Sequence, residues 1–394
     1  MIESFSDIVS KMQYHLKHKD EGYPIPLMPK LNDSVGNILP YQYTVVSGMA
    51  SSGKTSFVDQ NYVLSVLLQR ERLEDKPPIK IFYFSLKDTS IKKYQSLLCT
   101  YLKLVHNIRV DIPTLNNQPG RIYSIENEPV VLAAIDDAEI FFNEIIHEGS
   151  LEVITGISKP SAIYAKVSEY LEQFDPEDQD RPLVIVVVDS TDHLSPENDG
   201  YKTLSGSELD YKFDSYIHSL TKENGIHAVI ITPAHGANSR FPKENEPCYR
   251  QLGLYGKNCT KGIILYNPIA ENNSNYLRVV TDGEIYVSPT GLNTLRFWHI
   301  VRNVDGIESV SERILFLPGT GFMMEAPLQE SIDSFNEVKA RLFNTGLNPF
   351  FKNSSSSRSD EDTPEPDDNE PEAPKQLSLT DMVASATVAD EDEV

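Results

Sequence analysis

Cysteine is scarce in this chain. Its 394 residues hold three, Cys99, Cys248 and Cys259. The set is odd in number, is widely spaced, and matches no zinc-ligand or disulfide pattern, so it suits a reducing compartment such as the cytoplasm. Long apolar runs are missing as well. No stretch approaches the roughly 20 residues that a membrane span requires. The opening MIESFSDIVSKMQYHLKHKD has neither an apolar h-region nor a small-residue cleavage site, so no secretory signal and no membrane partner are expected. Positive charge is in short supply: 35 Lys and Arg against 58 Asp and Glu leave a formal net charge of −23. That balance argues against a histone-like or generally adhesive nucleic-acid binder.

The charge is unevenly distributed. Residues 353–394 contain 13 acidic and two basic residues, so −11 of the total sits in 42 positions. Residues 353–375 carry no aromatic and no aliphatic residue larger than Ala or Pro, and such a segment buries too little apolar surface to offset chain entropy. Disorder is therefore expected over 351–394. At the other end, Ile2, Phe5, Ile8, Val9, Met12 and Leu16 recur at helical spacing. Ser4 or Ser6 stands ready to cap that helix, and Tyr23-Pro24-Ile25-Pro26 ends it. The stripe fits packing on its own domain or docking on a neighbouring subunit. The expected organisation is an amphipathic helix or linker at 1–22, one large domain at 23–350, and an acidic tail at 351–394.

The large domain begins with a phosphate-binding signature. Tyr43–Val46 reads as a short strand and Ser56–Leu68 as a helix. Between them stands Gly48-Met49-Ala50-Ser51-Ser52-Gly53-Lys54-Thr55, which is G-x-x-x-x-G-K-T in the setting that motif needs. Glycines let the loop fold around phosphate, while backbone N–H groups and the helix start supply positive potential. Residues Gly48 to Ser56 are therefore expected to hold ATP, with Lys54 on the β- and γ-phosphates and the Thr55 hydroxyl on Mg²⁺. Leu183–Val188 is six apolar residues long, as a strand buried on both faces would be, and it ends in Asp189. An acid at that strand end lies where α/β folds bind ligands, and Asp189 is expected to hold the Mg²⁺ through water.

Further strands are expected at Ile79–Ser85, Ile226–Thr232 and Gly262–Tyr266. Helical patterns lie around Lys92–Val105, Ala134–Ile146, Ala162–Gln173 and Leu209–Thr221. The alternation implies an α/β fold, a mostly parallel twisted sheet with helices on both faces. Beyond Ser274 come short strands (YLRVV, EIYVS, LRFWHIV, RILFL), which predict antiparallel additions at one edge.

Taken in order, these blocks resemble the RecA-like P-loop NTPase domain of bacterial and phage replicative helicases, the DnaB-like family. Gly48–Thr55, Phe84-Ser85-Leu86, Asp189, Thr232-Pro-Ala-His235, and Phe297–Gly306 with RILFLPGTGFMME line up with the family's blocks over about residues 25–327. With about 40 residues before the phosphate-loop strand, a linker-like helix is expected there in place of the family's N-terminal primase-interacting domain. The resemblance implies an ATP-driven 5′–3′ DNA helicase, assembled as a ring, in the cytoplasm (the host's, if the chain is phage-encoded). It also implies that His235 stands at the γ-phosphate-sensing position and Arg302 at the lysine position of the closing K-x-R block. Two departures stand out. Lys87 occupies the place of the water-activating Glu, with Asp88 adjacent, and Val304 occupies the arginine-finger place. Asp88 substitutes only if the strand end is shifted by one residue, since neighbours on a strand face opposite sides. Loss of a finger is worth about 10³–10⁵ in rate in phosphoryl-transfer enzymes. A slow or non-hydrolysing ATPase is one consequence, and a shifted register is another.

In RecA-like rings the loops after the Walker-B strand and the next strand line the pore. Here they are Ser195–Ser207, with Lys202, and Gly236–Asn258, with Arg240, Lys243, Arg250 and Lys257 among Phe241, Tyr249 and Tyr255. Cations can track phosphates and aromatics can stack on bases, so these residues are the candidates for single-stranded DNA. Either loop would equally serve as ordinary solvated surface. Lys92-Lys93, after Phe84, reads as a solvated helix face. In the tail, Gln376-Leu377-Ser378-Leu379-Thr380 is similar to the short peptides that bind the sliding clamp, although the aromatic ending is absent. A primase, clamp or other replication protein is a candidate partner there. Two other functions fit the same residues: a catalytically weakened ATP-binding scaffold subunit, and a RecA- or KaiC-like recombination or regulatory ATPase.

Overall fold

Valine- and isoleucine-rich runs build the centre of the fold, because β-branched side chains suit a pleated, fully buried surface. The computed structural model describes residues 22–70, 78–119, 124–125, 128–174, 181–200, 202–236, 247–267 and 295–325. All of these fall in one compact unit. The expected helix at 1–22, the strands YLRVV and EIYVS, and the acidic tail lie outside the described residues.

Among the described residues nine strands form one sheet, in the order β11 (Phe322–Glu325), β10 (Val310–Leu317), β9 (Leu295–Asn303), β8 (Lys261–Tyr266), β1 (Gln42–Gly48), β7 (His227–Pro233), β4 (Leu183–Asp189), β2 (Ile79–Ser85), β3 (Leu151–Ile154). β1, β2, β3, β4, β7 and β8 run parallel. β9, β10 and β11 extend the edge antiparallel. A separate hairpin pairs β5 (Glu197–Asp199) with β6 (Lys202–Leu204). The expected strands that fall among the described residues and the antiparallel edge are thus present, and β3 joins them as an outer strand that sequence periodicity did not reveal.

Both faces of the sheet are covered, as parallel sheets require. On one face Val45, Phe82, Phe84, Val186, Val188 and Ile230 pack against Ile163, Val167 and Leu171 of the helix Pro160–Leu171 and against Phe213, Ile217 and Leu220 of the helix Ser207–Asn224. On the other face His227 meets Tyr62, with ring centroids 5.7 Å apart, and Tyr83 meets Lys93 of the helix Ser90–His106. Thr89 caps that last helix by accepting from Lys92 N.

Two expected loops contain regular structure among their described residues. Residues 195–207 contain the β5–β6 hairpin, because the buried Glu197 carboxylate accepts from Ser161 N at 2.9 Å and pairs with Lys212 at 3.1 Å. Residues 249–257 form 3-10 helical turns on either side of a kink at Gly253, which Leu252 and Tyr255 anchor in the core cluster.

The helix after the phosphate loop is one run of three parts: Lys54–Val58, a π-helical stretch Asp59–Leu64, and Ser65–Leu67. Stretches with π geometry inside α-helices are rare and concentrate at functional sites. All six of its residues are buried.

Candidate nucleotide site

The loop Gly48–Thr55 sits at the C-terminal ends of β1, β7 and β4, the edge where α/β sheets bind ligands. Gly53 has φ +92°, a left-handed conformation, and a Cβ there would lie 2.4 Å from Met323 Cε. Glycine is therefore required by the backbone angle, and a Cβ would in addition displace the flexible end of Met323. Arg296 braces the loop from β9: its Nη2 donates to Ser51 O at 3.1 Å, and its guanidinium lies 5.0 Å from the Phe316 ring centroid.

Lys54 Nζ donates to the carbonyls of Gly48, at 2.7 Å, and Met49, at 2.9 Å. Burial lowers its ammonium to about 8; Asp192 and Asp189 oppose that shift and Lys87 adds to it. Asp192, in the turn Thr191–His193, belongs to the site alongside Asp189. Ser190 Oγ donates to its carboxylate.

Thr55 Oγ1 donates to Asp189 Oδ1 at 3.2 Å. A hydroxyl and a carboxylate held together at a strand end are hard oxygen donors of the kind Mg²⁺ takes alongside phosphate oxygens and water. Among the described residues no cluster of three His, Cys, Asp or Glu forms an all-protein metal cage. One hydroxyl and one carboxylate at the mouth of a phosphate loop are a donor set that fits a nucleotide-bound Mg²⁺.

Behind Asp189 lies a buried network. Tyr83 OH donates to Asp189 Oδ2 at 3.0 Å. Lys93 Nζ donates to Tyr83 OH at 2.7 Å and lies 3.1 Å from Asp59 Oδ2 and 3.4 Å from Asp189 Oδ2. Lys93 is 1% exposed and Asp59 0%. The expectation of a solvated face at Lys92-Lys93 holds for Lys92, which pairs with Asp88, and fails for Lys93. Burial pulls the Lys93 ammonium down, and the charges of Asp59 and Asp189 more than offset it, so the group stays cationic. Lys93, Leu97, Thr100, Tyr101 and Leu104 follow the i, i+4, i+7, i+8, i+11 spacing of a buried helical stripe. That spacing is the signal that could have found Lys93. Asp59, Tyr83 and Asp192 carried no comparable mark.

The other candidates fall as follows. Asp88 is half-buried, and its carboxylate faces Lys92. His235 lies beyond β7, where its N donates to Gln251 O at 3.0 Å and its Nε2 is 3.3 Å from Thr232 Oγ1. Its neighbour Ala234 N donates to Gly48 O at 3.1 Å, so His235 stands beside the start of the phosphate loop. Gly253, at φ +61°, makes room for the His235 ring, which a Cβ would approach within 2.4 Å. Arg302 stands at the end of β9, donating to Cys259 O at 2.9 Å, with its guanidinium 5.7 Å from the Tyr249 ring centroid. Val304 beyond it is exposed. Lys202 pairs with Glu208, while Arg250 and Lys257 are exposed on the 3-10 helix. Arg240 and Lys243 lie outside the described residues.

The sheet order, the phosphate loop and the acid two strands away define a RecA-like P-loop ATPase fold. The solved structures it resembles include the ATPase domain of G40P, at TM-score 0.57 and 11% identity, covering 82% of this chain and 99% of that one. A DnaB-like replicative helicase, solved in connection with its interactions with primase, matches at TM-score 0.55 and 12% identity, covering 82% of this chain and 67% of that one. A KaiC-like protein from the archaeon Pyrococcus horikoshii matches at TM-score 0.43 and 11% identity, covering 77% of this chain and 99% of that one. By sequence, no protein-family model and no curated protein matches the chain. At these identities the likeness is one of fold, and the fold is that of the ATPase domain of DnaB-like helicases.

Proposed function

We propose that this protein is an ATP-driven motor of the DnaB-like helicase type, a ring-forming ATPase that moves 5′–3′ on single-stranded DNA. The observation that carries the reading is the contact of Thr55 with Asp189 at the mouth of a G-x-x-x-x-G-K-T loop. In this reading Lys54 leaves the Gly48 and Met49 carbonyls for the β- and γ-phosphates. Thr55 and Asp189 hold Mg²⁺, which when bound screens the phosphate charge. His235 responds to the γ-phosphate, Asp88 or Asp192 orients water, and Arg302 serves the nucleotide of a neighbouring subunit. Lys202, Arg240, Lys243, Arg250 and Lys257 meet DNA. The domain division, the hexameric state, cytoplasmic location and a tail that recruits a primase or clamp belong to the same reading. Among the described residues no helix is long and apolar enough to cross a membrane.

Steady-state ATP hydrolysis with and without single-stranded DNA, paired with native mass, tests it. DNA-stimulated turnover that Lys54→Ala abolishes, in an oligomeric species, supports the motor. A stable monomer under ATP and DNA sinks the ring.

A second reading, an ATP-binding scaffold subunit with weakened hydrolysis, is favoured by Lys87, a cation acting on Lys54 where the family has a carboxylate. ATP binding without turnover selects it. Strand exchange without unwinding of a forked duplex selects a recombinase.

A further inference from the structure

The network behind Asp189 contains more charge than a structural brace requires. An ion pair as deeply buried as Lys93 with Asp59 gains little over apolar residues of equal volume, because desolvation cancels most of the attraction. The pair also touches the residue assigned to the metal. One oxygen of Asp189, Oδ2, faces Tyr83 and Lys93, and the other, Oδ1, faces Thr55. Lys93 alone would fix that orientation, but its positive charge would cancel the carboxylate it orients. Asp59 removes the conflict. It lies nearer to Lys93 than Asp189 does, 3.1 Å against 3.4 Å, and both of its oxygens are engaged. The three charges sum to a single negative one. Tyr83 completes the arrangement by accepting from Lys93 and donating to Asp189.

We propose that Asp59 and Lys93 are positioning residues, an internal counter-ion pair that aims Asp189 Oδ1 at the Mg²⁺ position beside Thr55 while leaving Asp189 its negative charge. The inference rests on the reading of this edge as a Mg²⁺-nucleotide site.

The test is the Mg²⁺ requirement for binding a fluorescent ATP analogue, mant-ATP, to the full chain. Asp59→Asn leaves Lys93 to neutralise Asp189, so the half-saturating Mg²⁺ concentration rises by about tenfold, while binding in EDTA is unchanged. Asp59→Asn combined with Lys93→Met restores the charge count but not the aim, so the requirement falls back only to about threefold above that of the native chain. A pair with a structural role alone would change thermal stability and leave the Mg²⁺ requirement where it was. Equal requirements in Asp59→Asn and the native chain overturn the proposal and leave the nucleotide site standing. If the native chain binds no mant-ATP at any Mg²⁺ concentration, the nucleotide reading fails and the proposal falls with it. Should Asp59→Asn not fold, the double variant decides: it keeps the charge count and loses the aim, so a requirement about threefold above native upholds the proposal and one equal to native overturns it.

Discussion

Gln60 grips the backbone of Met323 by both of its faces. Its Nε2 donates to Met323 O at 2.6 Å, and its Oε1 accepts from Met323 N at 2.8 Å. One side chain in the π-helical stretch thereby closes a ladder for β11, the last described strand. Gln60→Ala leaves a buried N–H and C=O without these partners, at a cost of about 1–3 kcal/mol. The expected outcome is a lower urea midpoint with circular dichroism unchanged at zero denaturant. Because Met323 also abuts Gly53, mant-ATP affinity should fall with stability.

Gly53→Ala tests the loop itself. The substitution puts a Cβ against Met323 Cε and forces a left-handed backbone on alanine. Nucleotide binding should be lost or weakened at least tenfold (roughly 1.4 kcal/mol), and Met323→Ala should recover only the steric part of the loss. Titration calorimetry with Mg-ATP measures both.

The Lys54 ammonium sits at about 8, held down by burial. A cation with a lowered pKa is charged below that value and loses its charge as pH rises through it. Phosphate binding should therefore weaken between about pH 7 and 9. Mant-ATP titrations at constant ionic strength should show the slope in the native chain and none in Lys54→Ala.

Lys87→Glu exchanges a cation that acts on Lys54 for a carboxylate. The midpoint of the pH dependence should move upward, because one influence that lowers Lys54 becomes one that raises it. If the chain is a helicase-type motor with a weakened base, ATP turnover should also rise. A faster rate at unchanged affinity, read in a coupled phosphate-release assay, separates a gained base from a gained binding contact.

Lys93→Met alone leaves two buried carboxylates facing each other without their cation. The expected loss is about 3–5 kcal/mol of stability, visible as a large drop in the guanidinium midpoint. Adding Asp59→Leu should return most of it, since an apolar pair fills the same space.

How much of this was legible follows from what kind of signal each part leaves. The parallel strands were plain because fully buried strands must be continuous apolar runs, as Leu183–Val188 is. The phosphate loop was plain because its glycines and lysine are fixed by backbone geometry. β3 was missed because an outer strand of four residues, Leu151–Ile154, leaves too short a pattern. The β5–β6 hairpin was missed because Glu197 and Lys212, which hold it, are charged residues far apart in sequence. Lys93 was misread because a lysine beside another lysine reads as surface. Only the helix phase, with Leu97 and Tyr101 on the same stripe, places it inside. Asp59 depends on a π turn, which no simple period announces.

The carboxylate of Glu325, at the end of β11, accepts from Lys30 N at 3.0 Å and Leu31 N at 2.8 Å, in the helix Pro29–Val35. The first helix and the last strand of the described fold are thereby clasped by one side chain across nearly 300 positions of sequence. The two ends of the described fold thus meet side by side. Force applied at either flank would be shared between them by these two hydrogen bonds, so the latch couples the two ends of the described fold mechanically.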